Sequence, residues 1–240
     1  MKAASQDQAA LLTLVELDAK AKAAETRKRT LPEHAQLDEL NGRRRTLADD
    51  ATKAATAASD AETVMARIED DLATARTRLT RDHQRIDDGV VNDARSIASL
   101  QDEIAHLDGR ISELEDQQLE QMMVIEDQRR LADEATSGRT EVEAEMRALI
   151  ASRDEAVKAA DAEIADLGRQ RAEVVAGLPP ELVALFDKAA RAGSGAAEFK
   201  AGRCTGCGLL LDALARRAAE EAPADDVIRC AECGRILVRA

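Results

Sequence analysis

The chain has 240 residues and a formal charge of −13, with no Trp, no Tyr and only two phenylalanines, Phe186 and Phe199. The side chains that usually dominate globular cores are nearly absent, yet 45% of residues are apolar and 34% charged, which excludes a thick two-layer core and predicts long helices sharing a narrow seam in an elongated chain. The acidic excess lies in residues 1–194, where 27 basic residues face 40 acidic ones, while residues 195–240 carry seven of each; a surface that acidic repels phosphate backbones.

Leu11, Leu14, Leu17, Ala21 and Ala24 mark a first helix from about Ala3 to Lys28. Its early apolar run "ALLTLV" is too short for a signal-peptide core, and no run approaches 18 uncharged apolar residues. The expectation is a cytoplasmic chain without a membrane span. "TLPE" then interrupts the helix: Thr30 and Glu33 have capping-box spacing, and Pro32 falls in the first turn of a fresh helix.

From Leu37 to Ile86 the spacing alternates between three and four through Leu40, Arg44, Leu47, Ala51, Ala54, Ala58, Ala61, Met65, Ile68, Leu72, Ala75, Leu79 and Asp82. Only Arg44 and Asp82 break its apolar character, so the stretch reads as a coiled-coil seam. "DDGVVND" offers Gly89 as a helix C-terminal cap and Asn92 as the next N-cap. A second seam runs through Ile97, Leu100, Ile104, Leu107, Ile111 and Leu114. Near Gln117 and Gln118 the pattern predicts a shift of the seam to Leu119, Met122 and Ile125, and looser apolar positions continue to Val174. Gly177, Pro179 and Pro180 end this helix. At 1.5 Å per residue the outgoing arms total roughly 120 Å and the return roughly 125 Å, which predicts an antiparallel hairpin with its tip near 88–93. "PELVALFDKAARAG" follows as a short helix and "GSGAAEF" as a glycine-rich joint.

Cys204 and Cys207 form one C-x-x-C pair, and Cys230 and Cys233 form another. Two residues between thiolates let one tight turn present both sulfurs to a single cation, and two such turns complete a tetrahedron. Gly206, Gly208 and Gly234 supply the backbone freedom that such knuckles need. Disulfides require an oxidising compartment, and a redox pair requires one motif beside a βαβ unit. The spacing therefore predicts a zinc ribbon with one structural zinc, although iron fits the same four thiolates. Four thiolates fill the coordination shell, which predicts a structural rather than a catalytic site. "VIRCAECGRILV" places strand-forming residues on both sides of its knuckle, and Leu209, Leu210 and Leu211 suggest the same for the first.

The order of segments is distinctive: a leucine-rich helix broken at "TLPE", the tip "DDGVVNDARSIASLQDEI", the joint "GLPPELVALFDK", then "GRCTGC" and "RCAECGRIL". In these features the chain resembles the bacterial C4-type zinc-ribbon proteins with an N-terminal coiled-coil hairpin, a family labelled predicted nucleic-acid-binding proteins. The resemblance implies zinc at Cys204, Cys207, Cys230 and Cys233, and an adaptor role that links protein partners, with RNA or DNA contacts through the ribbon in some relatives.

The expected fold is thus mainly α: a long antiparallel coiled-coil helical hairpin over residues 1–176 with a helix break near 30–32, a short helix and linker over 177–195, and a small C-terminal β zinc ribbon over 196–240. Two functions compete. In one, a non-catalytic adaptor binds protein partners through its coiled coil and protein or nucleic acid through its ribbon. In the other, the ribbon binds RNA or DNA, with Arg203, Arg229, Arg235 and Arg239 around the knuckles as contact residues for phosphate or partner. Phe199 is the only aromatic residue near the ribbon, so base stacking has little support. His34, His83 and His106 are scattered on helices, and there is no phosphate-binding glycine loop; neither an enzyme nor a small-molecule substrate is expected.

Overall fold

The computed structural model describes residues 1–239. Its elements in chain order are α1 (Ser5–Arg29), α2 (Pro32–Asp87), α3 (Ala94–Ala176), α4 (Pro180–Ala190), β1 (Ala196–Lys200), β2 (Arg203–Cys204), α5 (Ala213–Glu221), β3 (Ile228–Arg229) and β4 (Ile236–Arg239). The fold is mainly helical, with a long helical hairpin and a small C-terminal β region. The chain divides into two units, Ala35–Ile150 and Met1–His34 with Ala151–Ala240. The expected ribbon span ends on Ala240, which lies outside the described residues.

Within Ala35–Ile150, α2 and α3 run antiparallel. Arg76 pairs with Glu115 at 2.6 Å, and two heptads back along α2, Glu62 pairs with Arg129, two heptads forward along α3, also at 2.6 Å. Every seam position read from Leu37 to Ile86 is buried or half-buried, Arg44 and Asp82 included, because the three–four alternation keeps one stripe of a helix facing its neighbour. Ile68 and Leu72 pack against Leu114, with Ile111 beside them.

On α3 the expected shift of the seam does not occur. Burial continues from Leu114 through Gln118, Gln121, Ile125, Gln128, Ala132 and Ala135 in unbroken three–four steps. Leu119 and Met122 instead face outward, 59% and 51% exposed, and Met123 is 71% exposed. Once two long helices are in register, slipping one stripe would unseat every contact beyond it, so heptad continuity outweighs the hydrophobicity of two side chains. The glutamines serve as amphipathic seam residues, and the Gln118 amide donates to Glu69 at 3.5 Å.

Two capping expectations are also corrected. Thr30 forms no capping box with Glu33: its hydroxyl donates to the Thr26 carbonyl at 2.9 Å and closes the end of α1. Glu33 accepts instead from Ser152. At the hairpin tip Gly89 takes φ +66°, but the cap of α3 is Asp93, whose carboxylate accepts from the Ser96 backbone N–H at 2.8 Å.

The other unit is built around its sheet. The strand order is β2-β1-β4-β3, with β1 and β4 parallel and both outer pairs antiparallel. Alternate side chains of a strand point to opposite faces, and here each face has its own core. Ala196, Ile236 and Val238 join Leu11 and Leu14 of α1 with Leu182 and Phe186 of α4. Ala197 and Leu237, one position along, join Cys204, Leu211 and Cys230 on the other side. Helix α1 lies antiparallel to the end of α3, with Asp18 accepting from Arg171 at 2.7 Å, Lys28 paired to Asp161 at 2.6 Å and Arg27 bonded to Glu163. The first residues complete the unit: Ala3 N–H donates to Asp225 O at 2.8 Å, Val227 N–H donates to Met1 O at 3.1 Å, and buried Gln8 donates to Ala3 O and Ala224 O.

Two predictions follow from these contacts. A Cβ on Gly195 would come within 2.5 Å of the Phe186 ring, so Gly195→Ala should lower stability by about 1–3 kcal/mol through overpacking, as read by denaturant unfolding. Asp82 is only 1% exposed, covered by Arg81 and Arg85 at the hairpin surface rather than enclosed in a deep core. The hydrogen bond from Arg81 holds its carboxyl below the ordinary value of 3.8, against the opposing push of burial. A lowered carboxylate stabilises the fold above that ordinary value, and the contribution fades as pH falls through the folded one. Asp82→Asn should therefore flatten the acid side of the stability–pH curve, measured by thermal melts between pH 2 and 6.

Candidate metal centre

Both C-x-x-C turns are built the same way. In the first knuckle Cys204 N–H donates to Leu209 O at 3.1 Å and Gly208 N–H donates to Cys204 O at 2.8 Å; in the second, Cys230 N–H donates to Arg235 O and Gly234 N–H to Cys230 O, each at 2.9 Å. Gly208 and Gly234 take φ +76° and +72°, the left-handed conformation that closes each turn and that side chains disfavour. The arginine before each first cysteine repeats as well: Arg203 donates to Gly208 O at 3.3 Å and Arg229 donates to Gly234 O at 3.1 Å.

The sheet brings the two knuckles together. Pairing of β1 with β2 sets Cys204 opposite Phe199, and the β3–β4 hairpin carries Cys230 and Cys233 to the same face. The four Sγ atoms all lie within 4.8 Å of one another. Cys204 and Cys233 are 3.8 Å apart, and Cys207 and Cys230 are 4.0 Å apart. A tetrahedron with metal–sulfur bonds of about 2.3 Å has sulfurs about 3.8 Å apart, so the donor set fits one four-coordinate thiophilic cation. Burial pushes the Cys204 thiol up to about 12 and raises Cys230 as well. Burial pushes Cys233 up too, but hydrogen bonds from the Arg235 backbone and guanidinium, together with those of Cys230 and Cys207, more than offset it and leave that thiol lowered to about 6.

The first knuckle departs from a simple hairpin. Its strand β2 pairs with β1, Arg203 meets Leu210 in a single bridge, and Leu209 and Leu210 are exposed while Leu211 is buried. Between the knuckles, Ala213–Glu221 forms α5. Asp212 caps it by accepting from the backbone N–H groups of Leu214 and Ala215 at 2.9 and 2.8 Å. An Asp immediately before a run of alanine and arginine was a legible start signal.

The four arginines around the knuckles have distinct surroundings. Arg203 and Arg229 are exposed and use one nitrogen each on a carbonyl of their own knuckle. Arg235 is half-buried and its Nε donates to Ser194 Oγ at 2.7 Å. Arg239 donates to four backbone carbonyls, those of Ala219, Ala222, Pro223 and Asp226, at 2.7–3.1 Å. It thereby closes the loop after α5 against β4, beside the residues that hold Met1 and Ala3. His34, His83 and His106 are exposed and lie outside this centre.

Hydrogen bonds from a charged donor are worth about 1.5–3 kcal/mol each. Arg239→Ala should therefore cost at least about 2 kcal/mol, and hydrogen exchange at the Val227 and Ala3 amides should accelerate most.

The CT398-like coiled coil hairpin domain matches residues 14–195. The uncharacterized protein Rv2229c of Mycobacterium tuberculosis is 32% identical over 245 residues, covering 100% of this chain and 98% of that protein. A solved structure from Mycobacterium smegmatis superposes with a TM-score of 0.85 at 31% identity, covering 100% of both chains. CT398 from Chlamydia trachomatis shares the fold, with a TM-score of 0.60 at 15% identity over 98% of this chain and 95% of that one. Among the described residues no helix is long and apolar enough to cross a membrane. On the match to its hairpin and the end-to-end likeness to the mycobacterial proteins, the chain belongs to the family of the CT398-like coiled coil hairpin domain.

Proposed function

We propose that the chain is a non-catalytic, cytoplasmic adaptor whose coiled-coil hairpin seats a protein partner and whose C-terminal β region is a zinc ribbon. Cys204, Cys207, Cys230 and Cys233 hold one structural zinc ion. When bound, the ion supplies a cross-link between the two knuckles, and four thiolates leave it no position for a substrate.

The observation that carries the adaptor reading is the outward stripe on α3. Leu119, Met122 and Met123 face solvent while Gln118 and Gln121 occupy the seam. Flexible, polarizable methionines at an exposed patch suit a docking surface. Beside them a groove of about 670 Å³ is lined by Met65, Met122 and Ile125, by the acidic Glu62, Glu126, Asp133 and Glu134, and by Arg129 and Arg130. The occupant is an amphipathic helix of the partner, with apolar residues at i, i+3 and i+4 and basic flanks. Charge selects that chemistry: residues 35–150 carry 15 basic against 27 acidic residues, a net −12, which also disfavours a second copy of the same surface.

A second reading assigns the ribbon to nucleic acid. Arg203 and Arg229 favour it, being exposed with further guanidinium donors beyond those on Gly208 and Gly234. Arg235 and Arg239 have inward partners, and the acidic hairpin opposes phosphate.

The test uses the full chain with two probes: a fluorescein-labelled leucine–lysine amphipathic peptide and a single-stranded RNA. The expected outcome is salt-sensitive peptide binding that weakens about tenfold or more in the Leu119→Ser, Met122→Ser, Met123→Ser variant. Equal peptide binding by that variant overturns the docking surface. RNA binding that steepens at low salt and weakens in Arg203→Gln, Arg229→Gln favours the second reading over the first.

A further inference from the structure

Arg235 lies at the meeting point of three segments. Its backbone carbonyl accepts from Cys230 N–H at 2.9 Å, which makes it part of the second knuckle. Its side chain crosses to the first knuckle, where a Cβ on Gly206, between Cys204 and Cys207, would come within 2.5 Å of Arg235 Cδ and 2.9 Å of its Nε. It then reaches the joint after α4: Nε donates to Ser194 Oγ at 2.7 Å, and a Cβ on Gly193 would collide with a terminal guanidinium nitrogen. The two glycines leave a channel that an arginine fills. Arg203 and Arg229 each stay within their own knuckle, and Arg239 faces the loop after α5. Of these four arginines, Arg235 is the one whose side chain joins both knuckles and the joint.

Four thiolates around a divalent cation carry two net negative charges. A buried excess of that size needs an opposite charge or hydrogen-bond donors close by, and outer groups that provide them orient the ligands and strengthen binding. The side chain is so placed: its Cδ and Nε fill the space beside Gly206, between Cys204 and Cys207, and the residue itself stands two positions after Cys233.

We infer that Arg235 is the outer-sphere positioning residue of the four-cysteine centre, offsetting the charge of the thiolates and fixing both knuckles against the 193–195 joint. The inference rests on the reading of that centre as a metal site. It assigns Ser194 a secondary role as the anchor that aims the guanidinium, and Gly193 and Gly206 the role of admitting it.

The test compares the full-length wild type with Arg235→Gln, Arg235→Lys and Ser194→Ala, each titrated with Zn(II) against a chromophoric chelator and with Co(II) as a spectroscopic probe. The wild type is expected to take up one ion per chain. Arg235→Gln should bind about 10–100-fold more weakly, and its thiolate-to-Co(II) charge-transfer band should move to lower energy, because thiolates without a neighbouring cation are easier to oxidise. Arg235→Lys should restore the band position and part of the affinity. Ser194→Ala, which leaves all five charged groups in place, should weaken binding to a smaller extent and keeps the comparison usable if Arg235→Gln does not fold. Affinity and band position matching the wild type in folded Arg235→Gln overturn the inference while leaving the metal site intact; if Arg235→Gln does not fold, wild-type affinity in Ser194→Ala overturns it. No uptake of either ion by the wild type overturns the metal reading and this inference with it.

Discussion

The sheet formed by β1 and β4 is the constraint on which the unit holding the cysteines depends. Ile236 and Val238 point to the helical side and Leu237 to the sulfur side, and Ala196 and Ala197 divide in the same way. One strand therefore seals a conventional apolar core with α1 and α4 and, through its alternate side chain, floors the four-cysteine centre. The chain's two phenylalanines follow that division: Phe186 fills the first core and Phe199 packs against the second. A segment of about 40 residues seldom builds a sufficient core alone. Here its outer face borrows leucines from α1, so the sheet is a shared wall and not a separate bead.

The hairpin shows the opposite economy of means. Its seam is a narrow stripe in which alanines at 54, 58 and 61 allow close approach and Leu72 with Leu114 supplies the bulk. Glutamines sit in the same stripe on α3, so the stripe is weaker there than leucines would make it. The apolar side chains that would have filled those positions are turned outward instead. Position along a repeat, more than the hydrophobicity of any one residue, decides which way a side chain faces on such a helix.

Much of this was legible in the amino-acid sequence, for identifiable reasons. The seam from Leu37 to Ile86 is long enough that the three–four alternation defines one face of a helix without ambiguity, and Arg44 and Asp82 keep their seam places despite their charge. Paired C-x-x-C turns carry their glycines with them, so the clustering of four sulfurs could be foreseen. What could not be read involves partners distant in the chain. Nothing local distinguishes Arg239, which closes a loop with four carbonyls, from Arg203, which stands at the surface. The strap made by Met1 to Ala3 has no periodicity to betray it, and the pairing of β1 with β4 is parallel, a contact that no hairpin signal encodes. The expected seam shift at Leu119 failed because local hydrophobicity was weighed above register.

The placement of β4 between β1 and β3 bears on how the polypeptide is made. Lys2 and Asp225, 223 positions apart, are in contact, and Leu11 and Leu14 share a core with Ile236 and Val238, which are made long after them. During translation the hairpin can close as soon as α3 has emerged, whereas α1 must wait with its leucines uncovered until β4 has emerged. Chaperone dependence should therefore concentrate on α1 and end once β4 has paired.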